Sequence, residues 1–243
     1  MKQVIVIPAR MKGTRLPGKP LIEIKGKAII HHVWDRCSQV IEPEYIYIAT
    51  EDEEIGYYCK ENNFQYLITQ TAETAIDRIK YFSDIIYADS YINIQGDEPV
   101  VNINDIKTLL DYNRKYPDRV VFGKTKANID EFNDHSKAKV VCNGKGRLLY
   151  SSRSGIPINN QGEFVSAERA IWLYAFNKIA LDSYNENHSK TYLDKLEDNE
   201  IIRFLELGIP VYCIDMIGDS WAVDELKDLE IVEKIINKID HTR

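Results

Sequence analysis

Short β-branched runs alternate along this chain with segments of helical length, and that alternation most restricts what it can fold into. Strand-like runs stand at residues 4–7, 45–49, 91–94, 120–122 and 211–216. Between them, residues 28–40, 53–62, 74–88 and 103–112 repeat apolar side chains at three- and four-residue steps, the helical period. Such an order predicts an α/β fold, a doubly wound and mostly parallel sheet with helices on its faces. Past residue 138 the pattern changes: strand-like 139–141 and 148–150 flank Asn143-Gly144-Lys145-Gly146, the turn residues of an inserted β-hairpin. A strand at 171–176, helices near 178–184 and 193–207, and a closing helix near 224–239 complete the expected order. With 243 residues and 44% apolar content, one domain spanning 1–243 is expected, with a subregion at about 139–176.

Composition removes several classes of function. No apolar run has the roughly 20 residues of a membrane span, and no signal-peptide pattern opens the chain, so a cytoplasmic protein without a membrane partner is expected. Cys37, Cys59, Cys142 and Cys213 form no C-x-x-C pair, and the histidines show no H-E-x-x-H spacing, which leaves no zinc or redox motif. A net charge of −7 disfavours nucleic acid as a partner. Against that acidic background, residues 1–27 carry Lys2, Arg10, Lys12, Arg15, Lys19, Lys25 and Lys27 with Glu23 as the single acid. Concentrated positive charge on an acidic chain points to a local anion site.

Ligands of such sheets collect beyond the carboxyl ends of the strands, which singles out three segments: 8–20, 95–99 and 218–224. The first contains Arg10, Lys12, Arg15 and Lys19 among Gly13 and Gly18. Small residues let backbone amides approach phosphate oxygens, and Arg and Lys supply charge, so a triphosphate is the natural partner. Gly13 to Lys19 also spells G-x-x-x-x-G-K, the start of a Walker motif. Pro20 stands where the magnesium-binding hydroxyl belongs, and residues 21–24 read as a strand rather than a helix, so a P-loop is rejected. A G-x-G-x-x-G dinucleotide loop is absent as well.

Without the Walker hydroxyl, the phosphate-bound magnesium needs carboxylates from elsewhere. Asp97, in Gln95-Gly96-Asp97-Glu98-Pro99, is a candidate, although an Asp in a turn also closes Asx-turns. Asp224 is the second, and on local grounds it reads equally as a helix N-cap. Asp219 is a weaker candidate in the same loop.

Taken together, these motifs resemble the 3-deoxy-manno-octulosonate (Kdo) cytidylyltransferases. The resemblance rests on Ile7-Pro8-Ala9-Arg10 with Thr14-Arg15-Leu16-Pro17-Gly18-Lys19-Pro20-Leu21, and on Asn93-Ile94-Gln95-Gly96-Asp97-Glu98-Pro99. Weaker echoes are Lys139-Val140-Val141, Ser152 to Pro157, and Val223-Asp224-Glu225 with Asp228-Leu229. It implies a sheet of the nucleotide-diphospho-sugar transferase type, a homodimer, and transfer of CMP from CTP to the anomeric hydroxyl of an acidic sugar with release of pyrophosphate. It further implies catalytic roles for Arg10, Lys19, Asp97 and Asp224, with Mg2+ held by Asp97 and Asp224. Nucleotide contacts are implied at Pro8, Ala9, Arg10, Gly13, Thr14, Arg15, Lys19, Arg78, Gln95, Gly96 and Asp97, and acceptor contacts at Gln95, Lys139, Arg153, Tyr174, Glu197 and Glu200.

The departures bear on specificity. Thr74-Ala75-Ile76-Asp77-Arg78 replaces the family's Ser-Gly-Thr-Glu-Arg near the base, and Ala170-Ile171-Trp172-Leu173-Tyr174 keeps only the Tyr of a His-x-Gly-x-Tyr-like stretch. Glu197 and Glu200-Ile201 stand where a Glu and Glu-Gln are usual. Losing a His and a Gln removes donors from an acceptor pocket, which predicts a modified relative of Kdo as acceptor. The rivals are a cytidylyltransferase for a sialic-type or non-sugar acid, a glycosyltransferase, which lacks its D-x-D motif in Thr50-Glu51-Asp52-Glu53, and a non-catalytic nucleotide-binding homologue.

Overall fold

The apolar run behind Lys2 forms β1 (Gln3–Ala9), in which every residue is buried. A strand covered on both faces belongs inside a parallel sheet. The structure, a computed structural model, describes residues 1–13, 15–184 and 189–241. Thr14, expected at the nucleotide, lies outside them.

After β1 the order is β2 (Glu23–Ile24), β3 (Lys27–Ala28), α1 (Ile29–Cys37), β4 (Ile46–Thr50), α2 (Glu53–Glu61), β5 (Gln65–Ile68), α3 (Ala75–Ser83), β6 (Ser90–Asn93) and α4 (Ile103–Lys115). There follow β7 (Val120–Ala127), α5 (Ile129–Asn133), β8 (Lys139–Cys142), β9 (Leu148–Ser152), β10 (Ala167–Phe176), α6 (Lys178–Tyr184), α7 (Tyr192–Glu197), α8 (Ile202–Glu206), β11 (Val211–Asp215) and α9 (Leu226–His241). By its internal contacts the chain forms two compact units, Met1–Lys107 with Asp219–Arg243, and Thr108–Gly218.

In the first unit β4 and β6 flank β1, both parallel to it, with Ile5 opposite Ile46 and Gln3 opposite Ser90. Beyond β4, β5 adds a further parallel strand, Tyr47 facing Gln65. All four strands therefore end on one edge, where the loops after Ala9, Thr50, Ile68 and Asn93 emerge. The helix α9 returns to this unit, and its Val232 and Ile236 pack with Ile24, Ile29, Val100 and Val223.

In the second unit β11 runs parallel to β7, and β10 runs antiparallel to it. The expected hairpin is present: β8 pairs antiparallel with β9, Val140 facing Ser151, and Gly146 takes the positive φ that its turn requires.

Two expectations need correction, and one strand was not expected. Residues 21–24 are not a continuous strand. Gly18, at φ 72°, turns the chain into a single 3-10 turn at Lys19–Leu21, with Pro20 in its first positions, and only Glu23–Ile24 is extended. The edge strand β5 was not among the expected strands; its run Tyr66-Leu67-Ile68 is short, and half of the strand is exposed. Finally, the helix expected at 193–207 is broken into α7 and α8, with Asp198 at φ 44°. Side-chain bonding accounts for the break: Glu197 turns to the Ser152 hydroxyl and Asn199 donates to the Ser151 hydroxyl at 2.8 Å, contacts that a straight helix could not make together.

Across that break, Arg203 Nε donates to Asp194 Oδ2 at 2.9 Å, both side chains being almost fully buried. Asp194→Ala would leave the guanidinium in the interior without that anion, so a loss of about 3–5 kcal/mol is expected. Urea unfolding followed by circular dichroism measures it; an unchanged midpoint would mean that the pair does not stabilise the broken helix.

Candidate active site

The loop after β1 is folded on one carbonyl. Met11 O accepts from Gly13 N at 3.0 Å and from Gly18 N at 2.8 Å, so the segment doubles back and brings Lys19 below β1. Gly13 is needed for this, since a Cβ there would lie 2.7 Å from Leu16 O. The loop after β6 approaches as closely: a Cβ on Gly96 would lie 2.6 Å from Pro8 O. A side chain of any size at residue 96 would drive the ends of β1 and β6 apart.

Lys19 Nζ donates to Asp97 Oδ2 at 2.7 Å and to Asp224 Oδ1 at 3.3 Å. Arg15 adds a longer ion pair to Asp224 Oδ2 at 3.4 Å, on a more exposed surface. Burial alone would push the Lys19 ammonium down, but the two carboxylates outweigh it and hold the group above the ordinary lysine range. The backbone ties the two acids as well, for Val223 N donates to Asp97 O at 2.9 Å.

Neither carboxylate plays its local structural part. Asp97 spends its side chain on Lys19. Asp224 does not cap α9, because Asp228 does so in its place: one oxygen accepts from Asp224 N at 2.9 Å and Glu225 N at 2.8 Å, and the other from Trp221 Nε1 at 3.3 Å. Burial opposes ionisation of Asp228, but these donors prevail and hold its carboxyl below the usual aspartate value. In the sequence Asp228 stands out only as an echo of the family and not as a cap, although an acid in the first turn of a helix is a capping signal.

Pro8, Ala9, Arg10, Gly13, Arg15, Lys19, Arg78, Gln95, Gly96 and Asp97, all expected at the nucleotide, line one cavity of about 280 Å³, and Asp224 lines it too. Lys12 adds a further cation to the wall. Opposite the loop stand Ala72, Thr74 and Ala75. Here Thr74 and Asp77 form a capping box at the start of α3, so Asp77 is occupied with its own helix. Arg78, 2% exposed, donates to Thr69 Oγ1 at 2.8 Å and to Glu51 Oε2 at 3.1 Å.

The residues expected at the acceptor, other than Gln95, lie in the second unit, where much of their bonding is internal. Lys139 is fully buried, and its ammonium donates to the carbonyls of Asp134, Lys137 and Arg153; burial pushes its pKa down. Glu197 accepts from Tyr150 Oη, Ser152 Oγ and Arg153 N. Arg153 donates to the carbonyls of Ser136, Glu197 and Asp198. Tyr174 stacks between Phe122 and Phe176 in the core, and Glu200 accepts from Tyr184 Oη through its carbonyl. Lys139, Arg153 and Glu197 thus form one bonded cluster, while Tyr174 belongs to the aromatic stack of the core.

A parallel sheet whose ligand edge carries a cation-rich glycine loop and two converging carboxylates defines the class of the nucleotidyltransferases. A family model described as cytidylyltransferase matches residues 4–209. The 3-deoxy-manno-octulosonate cytidylyltransferase of Escherichia coli is 32% identical over 97% of this chain and 96% of its own length, and that of Koribacter versatilis 31% identical over 97% and 90%. The solved structure of CMP:2-keto-3-deoxy-manno-octonic acid synthetase complexed with CTP superposes with a TM-score of 0.91 at 32% identity, covering 98% of this chain and 99% of that one. The chain belongs to the 3-deoxy-manno-octulosonate cytidylyltransferase family and, with it, to the CTP-dependent nucleotidyltransferases.

The Asp228 cap carries a pH signature. Its folded pKa is depressed, so its stabilisation is fully present above the ordinary value of 3.8 and is lost as the pH falls through the folded value. The melting-temperature gap between wild type and Asp228→Ala should therefore be constant near neutrality and shrink below about pH 4. A gap independent of pH would contradict the assignment of the cap to the ionised carboxylate.

Proposed function

We propose that this chain transfers CMP from CTP to the anomeric hydroxyl of 3-deoxy-manno-octulosonate, releasing pyrophosphate and yielding an activated sugar for surface polysaccharide synthesis. The observation that carries the proposal is the meeting of Lys19, Asp97 and Asp224 in the cavity beneath the cationic loop. Its supports are the name that the full-length relatives share and the CTP complex of the similar solved structure.

In this reading Arg10, Lys12, Arg15 and Lys19 grip the triphosphate and neutralise charge on the leaving pyrophosphate. Gly13 and Gly96 keep the backbone close enough to follow the phosphates. The protein need form no covalent bond, because attack on the α-phosphorus in line with the leaving group requires position and charge.

Asp97 and Asp224 suit magnesium. Their oxygens already reach a single cation, the Lys19 ammonium, and Mg2+ favours one or two protein carboxylates with phosphates and water filling its shell. Among the described residues no group of three or more His, Cys, Asp or Glu gathers into a cage, which fits that donor set better than a structural metal site. When bound, the ion supplies charge neutralisation to the phosphates. Lys19 would then turn toward them.

The loss of a His at Ala170 and of a Gln at Ile201 points to a modified acceptor. Ile201, however, at the place of the Gln, has no exposed surface, and Ala170, at the place of the His, is buried, so neither substitution by itself removes a donor from an open pocket. We therefore place Kdo first and a modified eight-carbon acid second. The enzyme would act as a homodimer in the cytoplasm, with no nucleic acid or membrane as partner; no helix among the described residues is long and apolar enough to cross a membrane.

Pyrophosphate release with CTP, magnesium and a panel of keto-sugar acids tests the reading. Kdo should turn over fastest, and turnover only of a nine-carbon or acylated acid would displace it. CTP binding with no turnover on any acceptor would favour the non-catalytic homologue. Asp97→Asn should lower kcat by at least about a hundredfold with an unchanged melting temperature, while Lys19→Ala should raise the KM for CTP more than that for the acceptor. Near-normal rates for Asp97→Asn, or the reverse pattern for Lys19→Ala, would overturn the roles given to them.

A further inference from the structure

Glu51 and Asp52, the two acids that directly follow β4, stand beside a site built for a polyanion, where unpaired carboxylates would repel the ligand. Their bonding explains their presence. Asp52 occupies the position before α2 at which an Asp ordinarily caps its own helix, yet its side chain makes no cap hydrogen bond. Instead Oδ2 accepts from Met11 N at 2.7 Å, across 41 residues of chain. Met11 is the hub of the phosphate loop, since its carbonyl takes both Gly13 N and Gly18 N, and Lys19 follows Gly18. One carboxylate therefore fixes the residue about which the whole loop turns.

Glu51 does the same for the opposite wall. Its Oε2 accepts from Arg78 Nη2 at 3.1 Å and from Ala72 N at 3.3 Å. The neighbouring Thr50 carbonyl takes Thr69 N at 2.7 Å, and Thr69 Oγ1 receives Arg78 Nη1 at 2.8 Å. Ala72 and Arg78 both line the cavity, and both are held from the end of β4.

We infer that Glu51 and Asp52 are positioning residues that set the two walls of the nucleotide site independently, Asp52 the phosphate loop and Glu51 the wall bearing Arg78. The inference rests on the reading of the cavity as a CTP site, and its test uses equilibrium binding so that the two can fail separately. A helix that gives up its cap to a distant loop is the kind of local rule-breaking found where function demands it.

The probes are inorganic triphosphate, which needs only the phosphate loop, and CMP, which needs the nucleoside wall. Asp52→Ala should weaken triphosphate by about tenfold or more while CMP changes by less than about twofold. Asp52→Asn keeps an oxygen for the Met11 amide and should bind triphosphate as wild type does. Glu51→Ala should show the opposite split, weakening CMP and sparing triphosphate, and Glu51→Gln should restore CMP. Glu51→Asp, which keeps the charge but shortens its reach, stands in for Glu51→Ala if that variant does not fold, and should weaken CMP likewise. Parallel weakening of both probes, an alanine variant with wild-type binding of its own probe, or Asp52→Asn or Glu51→Gln as impaired as the corresponding alanine variant would overturn the inference. If wild type turns over CTP and Kdo while the variants fail to split, the positioning roles alone fall. If wild type binds neither probe, the CTP reading falls and the inference with it.

Discussion

The ammonium of Lys19 is the one point on which this site depends. Asp97 reaches it from the end of β6 and Asp224 from the approach to α9, and two carboxylates brought so close without a cation would repel each other. The bonds of Gly13 and Gly18 to the Met11 carbonyl serve to deliver that lysine, and the close approach at Gly96 serves to deliver Asp97. Asp228 takes over the capping of α9, which leaves the Asp224 carboxylate for the cavity. Each of these devices is local, and each serves the meeting of three charges.

The sequence carried the fold wherever a segment was buried on both faces or periodic over several turns. β1, β4, β6 and β11 and the helices α1 to α4 and α9 fall close to where their patterns place them. It misled where tertiary bonding overrides propensity: nothing local announces that Glu197 and Asn199 will bond β9 and break a helix between them. β5 offers only the three-residue run Tyr66-Leu67-Ile68, too short to separate a strand from a loop by period. In the site, the first loop, Asp97 and Asp224 were legible because glycine, charge and a strand end coincide there. Glu51 and Asp52 met the same strand-end criterion, but their partners lie 27 and 41 residues away, and only the folded chain brings them together.

Electrostatics separates the two units. In the first, charged side chains converge on a cavity and retain exposed surface: the Asp97 and Asp224 side chains are 33% and 40% accessible. In the second, the residues that the family resemblance assigns to the acceptor largely hold their own unit together, Lys139 through three carbonyls and Glu197 through its hydroxyl and amide donors. Buried ionised groups are tolerated only when so saturated. Any part they take in sugar recognition works through the backbone shape they maintain and the groups they leave unspent.

The first unit is discontinuous, Met1–Lys107 being completed by Asp219–Arg243 after the whole of the second has passed. On a ribosome, β1, the cationic loop, Lys19 and Asp97 all emerge long before Asp224. A nascent chain thus exposes a lysine with half of its counter-charge, and the second carboxylate arrives only after the second unit. Synthesis order therefore keeps this meeting of three charges incomplete until the second unit has been made.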